Sequence, residues 1–192
     1  MRDRPLVSVC IPVYNAEKYV SEAIESVLNQ TYPNIEVIVA DDGSSDGTLS
    51  VLERQFRHER IVLCKQQNKG AAAARNLAFL HAKGDLIKFL DADDLISAKT
   101  IESQVRAALK HPGCVISGKW GRFYRDDLLT FKLSPETCWQ SMESANWLRT
   151  SWGSGRTMTQ PGIFLIPRSV IDAAGSWDEK LSLIDDMDFF TR

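Results

Sequence analysis

The 192 residues suffice for one compact unit with its own core, and 44% hydrophobic with 25% charged residues is the balance of a water-soluble globular chain. A net charge of −2 with scattered Lys and Arg argues against a nucleic-acid-binding surface. Four widely spaced cysteines without a CxxC pair (Cys10, Cys64, Cys114, Cys138) point to reduced thiols of a cytoplasmic protein, not to a disulfide scaffold or a zinc site.

The apolar run 6–13, behind Arg2 and Arg4, is short, carries Pro12 and lacks a small-residue cleavage site, so it reads as a buried strand and not as a signal segment. No stretch reaches the ~20 apolar residues that cross a bilayer. Val20, Ala23, Ile24, Val27 and Leu28 then fall on one helical face. Residues 35–40 form a second strand ending in the polar turn 41–46, and Leu49, Leu52 and Phe56 suit a second helix. A short third strand covers 61–64. The Ala-rich stretch 71–82 predicts a helix capped by Gly84. Residues 87–90 predict a fourth strand that runs into Asp91; Ile101, Val105, Ala108 and Leu109 mark a further helix, and 114–117 begin a fifth strand. In the second half the pattern is less regular: all five tryptophans lie there, none before residue 120, a loop-rich stretch 151–161 precedes the apolar run 163–166, and Pro167 and Gly175 bracket a short helix.

This alternation predicts an α/β fold, a mostly parallel sheet with helices on both faces. Such sheets bind ligands beyond the carboxyl ends of their strands. Tyr14-Asn15, Asp41-Asp42 and Asp91 to Asp94 all fall there. Three carboxylates in four residues repel one another unless a cation or hydrogen bonds compensate, and Mg²⁺ or Mn²⁺ shared with substrate phosphates is the natural partner. A solvated acidic turn that caps the next helix is the alternative. Asp41 or Asp42 could accept a hydrogen bond from a uracil or thymine N–H, whereas Asp46 and Thr48 suit a turn and helix cap. Asn68-Lys69-Gly70 opens the Ala-rich helix with amides that attract anions. Arg75 lies one turn in, within reach of a nucleotide or a strand-end carboxylate. Asp185-Asp186 reads as helix N-terminal charge or as a general base for an attacking hydroxyl. His58, His81 and His111 stand isolated.

In order, these segments resemble the family 2 glycosyltransferases of GT-A, Rossmann-like fold. The likeness is carried by 7–17 (VSVCIPVYNAE), 39–48 (VADDGSSDGT), 68–76 (NKGAAAARN), 84–94 (ending FLDADD), 175–179 (GSWDE) and 185–189 (DDMDF). The resemblance implies an inverting, metal-dependent transfer of sugar from a UDP- or dTDP-sugar to an acceptor hydroxyl, in cell-surface polysaccharide or glycolipid synthesis. It puts Pro12, Tyr14 and Glu17 on the substrate, Asp42 on the base, Arg75 and Asp91 beside the nucleotide, Asp93 on Mn²⁺ or Mg²⁺, Asp185 in a substrate contact and Asp186 as catalytic base. One base suffices for inversion, unlike the carboxylate pair of glycoside hydrolysis. An indole face can cover a sugar ring, which makes Trp177, with Trp152, a candidate on the acceptor side.

The expected organisation is one unit over 1–192, with a nucleotide-sugar-binding half (1–117) and an acceptor-side half (118–192). The acceptor is expected to be a carbohydrate or lipid-linked saccharide, with nucleic acid excluded and contact limited to the periphery of the inner membrane face. The family usually has Glu-Asp at 185–186, one methylene longer at the first position. The chain stops at Arg192 inside an expected amphipathic helix, as a C-terminally shortened member would. Two alternatives stand: a nucleotide-sugar-binding fragment without turnover, and a haloacid-dehalogenase-like phosphatase, which would want Gly-Thr where Asp94-Leu95 stands.

Overall fold

A computed structural model describes residues 4–55, 60–153 and 160–192; Phe56, His58 and most of the loop-rich stretch lie outside these. The β-branched run β1 (Val7–Val13) is buried at every position. It pairs in parallel with β2 (Ile35–Asp41) on one side and with β4 (Leu86–Phe89) on the other. β3 (Ile61–Lys65) extends the sheet beyond β2, also in parallel. Chain order reverses direction across β1, which leaves a crevice outside the carboxyl ends of β1 and β4.

The far side of β4 departs from the parallel pattern. The apolar run at 163–166 is β8 (Phe164–Pro167), antiparallel to β4, and β5 (Ile116–Ser117) pairs antiparallel with β8 at the sheet edge. The expected fifth strand therefore spans only two residues and is separated from β4 by β8. Between β5 and β8 lie β6 (Gly121–Tyr124) and β7 (Asp127–Leu133), a separate hairpin, and α5 (Ser144–Gly153).

Alternation along β1 divides the core in two. Val7, Val9, Ile11 and Val13 face α1 (Val20–Leu28), α2 (Thr48–Gln55) and α4 (Thr100–Lys110). Cys10 faces α3 (Ala71–His81), α6 (Arg168–Ala174) and α7 (Asp185–Thr191), together with Ile38, Ile87 and Phe89. All four cysteines are free.

Two local expectations change. Ala82 caps α3, and Gly84 serves a close approach: a Cβ there would lie 2.5 Å from Ser8 Oγ, which accepts the Gly84 N–H at 2.7 Å. Leu109 is 39% exposed, and the fourth buried position of α4 belongs to Gln104. A polar side chain is tolerated there because both its amide groups find partners. At α6 the expected punctuation holds, with Pro167 as N-cap and Gly175 at φ 93° as C-cap.

Candidate active site

The turns after β1 and β2 staple each other. Asn15 adopts φ 49°, which asparagine tolerates better than most residues. Its Oδ1 accepts N–H bonds from Ser45 (2.8 Å) and Asp46 (3.3 Å), and Thr48 Oγ1 accepts the Ala16 N–H at 2.9 Å. Glu17 joins this brace and accepts the Gly47 N–H at 3.0 Å; a Cβ at Gly47 would lie 2.3 Å from its carboxylate. Pro12 is buried beneath this loop pair, and Tyr14 stands 53% exposed beside it.

Asp42 is 2% exposed. Its Oδ1 accepts bonds from Gln66 Nε2 (2.7 Å) and Lys69 N–H (2.9 Å), and its Oδ2 one from Gly70 N–H at 2.8 Å. The amides at the start of α3, expected to attract a ligand anion, are thus turned on an internal carboxylate. A carboxylate offers about four lone-pair sites, so Asp42 keeps one acceptor position open. Neighbouring Asp41, 1% exposed, has a buried Oδ1 with no partner.

Arg75 is the hub. At 7% exposure its guanidinium donates at 2.8 Å to Asp91 Oδ1, at the end of β4, and at 2.7 Å to Asp185 Oδ2, at the start of α7. The planar fork suits two carboxylates held at fixed angles. Its third side lies 4.6 Å over the ring of Trp177, which stacks on Phe189 at 4.1 Å with 6° between planes. Asn76 fixes Trp177 through both backbone groups, at 2.9 and 3.0 Å. Trp177 is 2% exposed with both faces covered, so it supports Arg75 and presents no face to a sugar. Trp152 is half-buried.

The acidic turn points its carboxylates three ways. Asp91 turns to Arg75, and Asp94 accepts a bond from Gln160 Nε2 at 2.7 Å. Burial, with Asp91 and Asp93 adding repulsion, pushes the Asp94 carboxyl up to about 7. Asp93 is exposed and lines a cleft of about 220 Å³ with Lys18, Tyr19, Glu22, Leu95, Phe123, Asp126 and Leu128. Across it, the ion pair Lys18–Asp126 ties the hairpin to the approach to α1. Among the described residues no three acidic, His or Cys side chains form a self-sufficient metal cage. One open carboxylate of hard oxygen donors, beside a charge-rich turn, instead fits a Mg²⁺ or Mn²⁺ whose other ligands are phosphates and water.

Asp186 follows Asp185 in the first turn of α7. Burial raises its carboxyl above the ordinary range, Asp185 adds to this, and the Met187 N–H bond at 2.8 Å and Arg75 oppose it. The hub thus joins the ends of β4 and α7, and Asp42 ties the end of β2 to the helix that carries it. Gln66 and Gln160 escaped the sequence reading, since an isolated glutamine in a loop carries no spacing signal.

The sequence profile of Glycosyl transferase family 2 matches residues 8–173. The chain belongs to this family. The match removes the phosphatase alternative; Asp185 and Asp186 lie just beyond it. The chain is 40% identical over 147 residues to the Escherichia coli UDP-Glc:alpha-D-GlcNAc-diphosphoundecaprenol beta-1,3-glucosyltransferase WfgD, covering 71% of this chain and 57% of that protein. It is 42% identical over 109 residues to an uncharacterized glycosyltransferase of Haemophilus influenzae, covering 56% and 44%. Its fold matches S. aureus TarS 1-349 in complex with UDP, with a TM-score of 0.80 at 23% identity, over 96% of this chain and 54% of that one. The fold is GT-A. The chain spans about half the length of these relatives.

Proposed function

We propose that this chain carries the donor site and catalytic base of an inverting glycosyltransferase that moves sugar from a UDP- or dTDP-sugar to an acceptor hydroxyl. The observation that carries the reading is Arg75, buried between Asp91 and Asp185, because it joins the acidic turn to the helix bearing Asp186. WfgD is named for a UDP-glucose donor, and TarS was also solved with UDP-GlcNAc, which supports a uridine donor here.

Residues 1–117 take the nucleotide sugar. The base lies beside Pro12 and Tyr14, its N–H donating to the open acceptor position of Asp42, with Asp41 Oδ1 unpaired nearby. Glu17 acts through the turn it braces. Arg75 holds Asp91 and Asp185 in place at the nucleotide's edge. Asp93 would hold Mn²⁺ or Mg²⁺, which when bound neutralises charge on the departing diphosphate. A Mn²⁺ complex of a structural neighbour, the mannosyltransferase PcManGT, agrees with that choice.

Asp186 takes the proton of the acceptor hydroxyl, whose oxygen forms its bond to the anomeric carbon as the bond to the diphosphate breaks. A raised proton affinity makes it a stronger base than an ordinary surface carboxylate. Residues 118–192 supply the acceptor side. The acceptor class is a carbohydrate or lipid-linked saccharide of cell-surface synthesis, in line with the printed names of WfgD and of the putative teichuronic acid biosynthesis glycosyltransferase TuaG. No described helix is long and apolar enough to cross a membrane, and we place the work in the cytoplasm at the periphery of the inner membrane face.

A thermal-shift screen of nucleotide sugars with Mn²⁺ tests the donor side. Stabilisation by a UDP- or dTDP-sugar, lost in Asp93→Ala, is expected; equal stabilisation of that variant removes Asp93 as the ligand. Donor binding with no sugar transfer or diphosphate release would favour the binding-only alternative.

A further inference from the structure

β4 reads Leu-Ile-Lys-Phe, and Lys88 within it is fully buried. A methionine would fill such a site without the cost of desolvating an amine. The lysine is instead satisfied donor by donor. Its Nζ donates to Gln104 Oε1 at 3.1 Å, to the Gly162 carbonyl, and to the Phe164 carbonyl at 3.4 Å. Gln104 turns its Nε2 to the Ile163 carbonyl at 2.7 Å. Three successive carbonyls, 162–164, are therefore gripped by two buried side chains from β4 and α4.

That gripped segment presses on the acidic turn. Gln160, at its start, donates to Asp94 at 2.7 Å. A Cβ on Gly162 would lie 3.2 Å from Leu90 Cδ1 and 3.7 Å from Asp94 Oδ2, so the backbone here packs directly against the strand end and the acidic turn. Burial lowers the Lys88 amine to about 7, and the charge of Asp94 acts against that shift, so the two groups sense each other.

We propose that Lys88 is a positioning residue: with Gln104 it fixes residues 160–164, so that Gln160 holds Asp94 and the turn presents Asp93 to the metal and diphosphate of the donor. This rests on the reading of Asp93 as metal ligand given above. The clasp's hydrogen bonds run to Gln104, to residues 160–164 and to Asp94, and none reaches the turns after β1 and β2 that form the proposed base end, which separates its effect from general loss of fold.

The test is calorimetry of UDP binding with and without Mn²⁺ for wild type, Lys88→Met, Gln160→Leu and the double variant. Wild type binds UDP more tightly with Mn²⁺. Each single variant keeps its metal-free affinity and loses about tenfold of the Mn²⁺-dependent gain. The double variant loses no more than either single one, because both break the same path. If wild type shows no Mn²⁺-dependent gain, the metal reading fails and the proposal with it. If wild type gains and folded Lys88→Met gains equally, or the two losses add, only the proposal is overturned. Should Lys88→Met not fold, Gln160→Leu, at a half-buried position, decides alone: an undiminished gain overturns the proposal.

Discussion

Strand β1 of the sheet and strand β7 of the hairpin both carry large apolar residues and fare oppositely. Every residue of β1 is buried, whereas β7 leaves Leu129 96%, Phe131 50% and Leu133 54% exposed. β1 is flanked by strands on both sides and by helices on both faces, so each apolar side chain finds neighbours. Among the described residues the hairpin pairs only with itself, and the Lys18–Asp126 ion pair joins it to the approach to α1. Strand-forming residues therefore specify a ribbon, but burial depends on what lies beside it. The charged site follows the same division, since its carboxylates are braced where they meet the sheet and open where Asp93 meets the hairpin.

The comparison can be broken most forcefully at the hub. Arg75→Ala leaves Asp91 and Asp185 without their shared cation and should cost about 3 kcal/mol of stability in urea denaturation. A loss below 1 kcal/mol would show the hub to be dispensable to the fold. Asp42→Ala frees the loop at 66–70 and should cost about 2 kcal/mol by the same measurement, with UDP affinity falling as well.

Lys88 gives a pH-dependent effect. Its proton affinity is near 10.5 in the unfolded chain and about 7 in the fold, so between these values the unfolded state holds more protons. Its contribution is thus complete above about 10.5 and lost as pH falls through about 7, and stability should rise by about 1 kcal/mol per pH unit across that window. Lys88→Met should flatten this arm. At the other extreme, Leu129→Ser on the hairpin should change stability by less than about 0.5 kcal/mol. A larger loss would mean that the exposed ribbon is buried in solution.

Much of this was legible in the sequence, for physical reasons. β1, β2 and β4 announce themselves because strands buried on both faces are mostly apolar, and the turns after them are polar. The antiparallel insertion of β8 was not legible, because four apolar residues carry no direction. Nor was the pairing of Arg75 with Asp185, which are 110 residues apart. Gly84 was misread because the same residue serves a helix cap and a close backbone approach. Trp177 was read as a sugar platform because its type permits that role; only the ring of Phe189 and the guanidinium of Arg75 on its faces reveal the other.

The central claim is that Asp186 removes the acceptor's proton while other side chains hold the donor. Its most direct test is to compare Asp186→Asn with wild type, under one set of conditions, for UDP binding and for transfer from the donor selected by thermal shift. The account predicts unchanged UDP affinity and loss of transfer by about two to four orders of magnitude. Transfer at the wild-type rate would contradict it.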